Sequence, residues 1–259
     1  MAYEHVLVDV EGDLGIVTLN RPARRNALSE AVIRELTAAF EQLAAEAPVR
    51  AIVLAANGPV FSAGHDLSEI AGRDLDGMRR LLGASANLMR TMQALPQPVV
   101  ACVHAIATAG GCQLVASADL AVAADVARFA TPGGREGWFC ITPMIPVQRL
   151  LPPKRALEML FTGDEIDAAT ALAWGLVNRV VPADRVRDEA KALARRASRG
   201  SLGAKALGKR MFYETVELPL EPAYEKAVEA MASSALTDDA REWIRAFLDK
   251  RPAVYSKKR

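Results

Sequence analysis

Cysteine and histidine are scarce in this 259-residue chain, at three each. Cys102, Cys112 and Cys140 form an odd set in apolar or small-residue surroundings, without disulfide-framework or metal-ligand spacing. No metal site is expected, and a reducing compartment suits them. No apolar run approaches the roughly 20 residues that span a bilayer, although hydrophobic residues make up 51% of the chain, so a sizeable buried core is expected in place of a membrane span. A dominant charge is missing too: 32 basic against 31 acidic residues, interspersed, leave a net charge of +1 and no electrostatic case for nucleic acid or a membrane surface as partner. The opening residues Met1-Ala2-Tyr3-Glu4-His5 have neither the basic end and apolar run of a signal peptide nor an Arg-rich transit character. The cytoplasm is therefore the expected location.

What is present reads as α/β. Val6–Val10 and Gly15–Leu19 alternate as two strands of a hairpin, turned at Glu11-Gly12-Asp13. Ser29 can cap a helix whose apolar positions Val32, Ile33, Leu36, Ala39, Phe40 and Leu43 recur at helical spacing, and a buried strand, Ala51–Leu54, follows. A loop from Asn57 runs through Phe61-Ser62-Ala63-Gly64-His65-Asp66-Leu67 into a helical turn, 75–94 form a helix, and Pro96-Gln97-Pro98 ends it. From about residue 183 to 250 the periodicity is almost wholly helical, which suits a lid on the core or an assembly surface.

The stretch His104–Gln113 carries the first functional signal. The apolar run Val99–Val103 leads into small residues and Gly110-Gly111, and Gln113-Leu114-Val115-Ala116 is helix-like, so a strand, a tight turn and a helix start are expected. Helix starts carry unpaired N–H groups and a partial positive charge, and glycine lets a ligand approach them, so such a turn can hold an anion or a developing oxyanion. Turns of this kind also serve plain helix–strand packing.

Six pieces in chain order extend the signal: Asn20-Arg21-Pro22 with Asn26-Ala27-Leu28; Phe61–Leu67; Ala109–Leu114; Phe129-Ala130-Thr131-Pro132; Leu160-Phe161-Thr162-Gly163 with Ala173–Val177; and Ala246–Arg251. Together they resemble the crotonase superfamily, the enoyl-CoA hydratase/isomerase-like proteins. The resemblance implies a ββα superhelix over residues 1–195 and a C-terminal helical region, 196–259, that builds trimers or pairs of trimers. It implies an acyl-CoA thioester as ligand, coenzyme A arriving with the substrate and no further cofactor. By motif position the thioester oxygen would meet the backbone N–H groups of His65 and Gly110, near Ala63, Asp66 and Leu67. RNA binding occurs among such proteins, but the balanced charge gives it little support.

Two positions depart from the pattern. Hydratases of this kind use two glutamates that share a water, and here they fall on Gln113 and Gly133. An amide cannot take a proton from water at neutral pH, and glycine offers no side chain. A positioned acid or base commonly supplies about 10²–10⁴-fold, so efficient ordinary hydration is not expected, and restoring both glutamates should raise it. Ala107–Ser117, followed by Phe129-Ala130-Thr131-Pro132-Gly133 and Phe139-Cys140-Ile141-Thr142-Pro143, more closely resembles the enoyl-CoA hydratase domain-containing branch, which lacks the same glutamates.

Further candidates each carry two readings. Glu136 is a stand-in acid if 133–136 is helical and points away if it is extended. The His65 ring is catalytic or merely packed. Asp66 and Glu69 face the pocket, or act as a cap and a solvated helix face. Cys112 and Cys140 are nucleophiles or small buried residues. Arg24 and Arg25 meet CoA phosphates or lie at the surface. Phe247 and Lys250 touch the adenine and phosphates of a neighbouring subunit's ligand, or form an aromatic core anchor beside a surface lysine. Two functions remain: an acyl-CoA lyase or isomerase that stabilises an enolate, and a carrier or sensor that binds acyl-CoA without turnover.

Overall fold

The alternating runs at the start pair as an antiparallel hairpin, β1 (Val6–Glu11) and β2 (Leu14–Leu19), in the computed structural model, which describes residues 3–46 and 48–256. Met1 and Ala2 of the opening stretch lie outside the described residues. The other strands are β3 (Ala51–Ala56), β4 (Val99–Val103), β5 (Ala107–Thr108), β6 (Leu120–Ala124), β7 (Arg128–Ala130), β8 (Ile166–Asp167) and β9 (Arg179–Val181). A six-stranded sheet runs β1-β2-β3-β4-β6-β9, parallel beyond the hairpin, and a small sheet runs β5-β7-β8.

The chain alternates between these sheets. β4 lies in the large sheet, β5 in the small one, and the helix Gly110–Ser117 returns the chain to β6; β7 and the short helix Gly133–Glu136 repeat the step. This winding of strand, strand and helix is the ββα superhelix. Burial of both sheet faces matches the near-continuous apolar character of β2, β3 and β4, whose residues are almost all inaccessible. The helix Glu30–Ala45 covers one flank with all six apolar positions buried, and the Ser29 hydroxyl accepts the Val32 N–H at 3.2 Å.

The central stretch differs from expectation in detail. The chain does not turn straight from β4 into a helix at Gln113: it first adds β5 to the second sheet, and the helix begins three residues earlier, at Gly110. Ala109 makes the break, with φ of +50°, an uncommon conformation for a residue with a side chain.

Four helices close the chain: Val186–Ala197, Leu202–Thr215, Leu220–Ser234 and Asp238–Leu248. The first packs on β3 and β4 and belongs to the core. The second is tied to it by a buried ion pair: Lys209 Nζ donates to Asp119 Oδ2 at 2.6 Å and to the Met92 and Gln97 carbonyls, while Tyr213 donates to Asp119 Oδ1 at 2.8 Å. The last two leave a broad apolar face exposed, including Tyr224, Val228, Met231 and Leu248.

Candidate active site

Two backbone segments meet beside the main cavity. The loop Ser62–Asp66 is pinned on one side by the N-terminal motif, where Ala63 N–H donates to the Arg25 carbonyl at 3.1 Å and Leu28 N–H to the Gly64 carbonyl at 2.7 Å. On the other side Thr108 N–H donates to the Ser62 carbonyl at 3.0 Å. Gly64 has φ of +84°, and a Cβ there would stand 2.8 Å from Ala109 Cβ and 2.9 Å from Gly110 N. Only glycine allows this approach. A Cβ on Gly110 would in turn lie 3.3 Å from the His65 Nδ1. The backbone N–H groups of His65 and Gly110 thus belong to touching segments, and among the described residues neither donates to a protein acceptor. Gly110 also opens a helix, where the backbone dipoles favour negative charge.

The loop is held from behind by charge. Asp66 accepts from Arg21 at 2.8 Å, from Arg24 at 3.4 Å and from the Ser68 hydroxyl at 2.6 Å. The Ser68 hydroxyl above all, then Arg21, the Ser68 N–H and Arg24, outweigh its burial and hold its carboxyl down to about 2. Asp66 is thus a cap and a strut; it is buried, not solvated, and does not line the cavity. Glu69 accepts the Glu30 N–H and pairs with Arg73. Arg24 spends itself on Asp66 and Ser68. Arg25 is exposed and in the left-handed region, its carbonyl bracing the loop.

The cavity, of about 570 Å³, is lined by Ala63, His65 and Leu67 from the first loop, by Thr108 and Ala109 from the second segment, and by Leu82 of the helix Leu75–Ala94. Residues 132–143 form its far wall. Burial lowers the pKa of His65, so its ring is neutral at pH 7, and its Nε2 is buried without a partner among the described residues. Gln113 lies one helical turn beyond Gly110 on the same face, 3% exposed, with its Oε1 buried and unpartnered.

Gly133 corrects an expectation. A Cβ there would overlap the Trp138 carbonyl oxygen and stand 2.8 Å from Cys140 N. The backbone at Trp138–Cys140 occupies the place from which a side chain would grow. A glutamate at Gly133 therefore has no room unless the Trp138–Cys140 backbone shifts. Gly133–Glu136 is a single helical turn, so Glu136 does reach the cavity wall, but it is 62% exposed and stands 3.7 Å from the guanidinium of Arg135.

Burial pushes the Cys112 thiol up to about 12, with Cys140 adding to it, and burial also raises Cys140 against an opposing hydrogen bond from the Gly133 N–H. Neither is a thiolate at neutral pH, which removes the basis for a nucleophilic reading. Phe247 is no core anchor: it is 71% exposed and stacks on Trp243 at 5.9 Å. Neither it nor Lys250 lines the cavity of its own chain. Sequence reasoning missed Trp138, whose ring lies 6.5 Å from that of His65; the available signal was an aromatic pair close after Gly133, Gly134 and Gly137.

A ββα superhelix with two free backbone donors beside one cavity is the arrangement of a crotonase-type protein. The chain belongs to that superfamily, since the enoyl-CoA hydratase/isomerase family matches residues 9–258. It is 42% identical to the enoyl-CoA hydratase domain-containing protein 3, mitochondrial, of Rattus norvegicus over 93% of this chain and 80% of that protein. Among solved structures, an enoyl-CoA hydratase of Mycobacterium smegmatis superposes with a TM-score of 0.93 at 43% identity, covering 97% of this chain and 98% of the other. The human enoyl-CoA hydratase domain-containing protein 3 also gives 0.93, at 38% identity, over 97% and 100%. Among the described residues no helix is long and apolar enough to cross a membrane.

Proposed function

We propose that this protein binds acyl-CoA thioesters in fatty-acid and acyl-CoA metabolism, holding the thioester oxygen between the N–H groups of His65 and Gly110. The observation that carries this reading is the pair of free donors on touching segments, with His65 on the cavity wall and Gly110 directly after Ala109, which also lines it. Donors placed in advance favour an enolate over its parent thioester, and losing one such donor typically costs about 2.7–4 kcal/mol of transition-state stabilisation. The chemistry open to it is enolate formation, as in a lyase or isomerase, with Gln113 positioning substrate and Glu136, three residues past Gly133 on the cavity lining, as the stand-in carboxylate. It is a poor ordinary hydratase. A second reading, an acyl-CoA carrier or sensor without turnover, is favoured by the closure at Gly133.

Self-association as a trimer or a pair of trimers through the exposed apolar face of the last helices belongs to the same proposal, with Phe247 and Lys250 offered to a neighbour's ligand. Sedimentation equilibrium measures it. The free buried cysteines support a cytoplasmic setting. The deciding experiment incubates the purified protein with saturated and unsaturated acyl-CoAs in deuterated water and reads the products by mass spectrometry. Deuterium at the α-carbon is the expected result and identifies an enzyme; tight calorimetric binding without exchange identifies a carrier; absence of binding refutes both.

A further inference from the structure

The far wall of the cavity has exchanged polar chemistry for apolar bulk. Where two carboxylates would hold a water, position 133 is closed by the Trp138 backbone and position 113 carries an amide. The side chains set around this wall are Trp138, Phe139 and Ile141, with Leu82 from the helix Leu75–Ala94 and Leu67 at the first loop. Three of them are well exposed although they line a cavity: Leu67 at 67%, Ile141 at 61% and Trp138 at 46%. A solvent-facing apolar lining is costly unless a ligand covers it. Of the charged residues on the lining, Arg135 is paired with Glu136 and with Asp164, and Glu165 is exposed. A cavity of about 570 Å³ falls in the range that holds a drug-sized ligand, and a four-carbon acyl group would leave much of this lining wet.

We propose that the site selects thioesters with a large apolar acyl group, a chain of about eight carbons or more or an aromatic ring of similar bulk, seated against Leu82, Trp138 and Ile141. This rests on the acyl-CoA reading above. Trp138 and Ile141 are specificity-determining residues: they line the cavity with apolar surface, Trp138 beside the His65 ring and Ile141 beyond it in the chain. Both are partly exposed, so polar replacements at them keep the fold.

The test is calorimetric titration of the full chain with butyryl-, octanoyl-, dodecanoyl- and phenylacetyl-CoA and with free CoA, repeated on Trp138→Ser and Ile141→Ser. Each methylene buried should tighten binding about threefold to fourfold, so octanoyl-CoA binds at least tenfold tighter than butyryl-CoA. In the two variants the ratio of octanoyl-CoA to butyryl-CoA affinity shrinks. Equal affinity for all acyl lengths overturns the proposal and leaves thioester binding intact. A chain-length gain that survives in both variants overturns it as well, because the tail then lies elsewhere. Failure of every thioester to bind overturns it together with the reading on which it rests.

Discussion

Positions 113 and 133 are the two that the resemblance pairs as catalytic, and the fold treats them differently. At Gln113 the helix Gly110–Ser117 keeps its place and a side chain of nearly glutamate's shape points from the same face as Gly110, so only the chemistry has changed. At Gly133 the Trp138 backbone occupies the place from which a side chain would grow. One site has lost a charge, the other a volume. Lost charge is recoverable by one substitution; lost volume is not.

The largest effect that would break this comparison is at Gly133. Gly133→Ala should cost about 3 kcal/mol or more, because the overlap is with the Trp138 backbone and begins at Cβ. Gly133→Glu should be at least as damaging. Urea denaturation reads both, and an alanine variant as stable as the parent would show that the segment yields easily. Gly64→Ala comes next, at about 2–3 kcal/mol from a strained positive φ and contact with Ala109 and Gly110 N. It should also weaken thioester binding, since it pushes the two donor segments apart.

These positions show how much was readable in advance. The helix Glu30–Ala45 was legible because six apolar residues repeat at its period, and all six are buried. The hairpin, the two donor segments and the family's order of motifs were legible because each is a local run of residues. The strands at 107–108, 128–130 and 166–167 were not: they are two or three residues long and exist only through pairing with distant backbone. Ala109 gave no warning either, since nothing in an alanine announces a positive φ. The closure at Gly133 is an approach of backbone across five residues, which a string of residue types does not display.

A middle-sized effect concerns the strut behind the first loop. Asp66 has its carboxyl held below the usual value, to about 2, so its contribution is fully present above roughly pH 4 and is lost as pH falls through that folded value. Asp66→Asn should cost about 2 kcal/mol at pH 7, where Arg21 loses its partner. The gap between parent and variant should then close between about pH 4 and pH 2. A gap that stays constant over that interval would mean that shape, not charge, holds the loop.

The smallest effect is the one that tests position 113 alone. Gln113→Glu keeps the side chain's length, so the fold should survive with a loss of only about 1 kcal/mol. The new carboxyl has burial acting on it, so its folded pKa rises above the unfolded value of roughly 4.3. A raised acid is neutral when folded, so the destabilisation is absent below that unfolded value and grows as pH climbs toward the folded one; the variant should be closer to the parent at pH 4 than at pH 8. If a proton acceptor is what hydration lacks, this single change raises crotonyl-CoA hydration by about 10²-fold, the low end of what one positioned base supplies, at pH values above the carboxyl's raised folded value, where it is ionised. A folded variant with no gain would show that the closure at Gly133 is by itself sufficient to exclude the water.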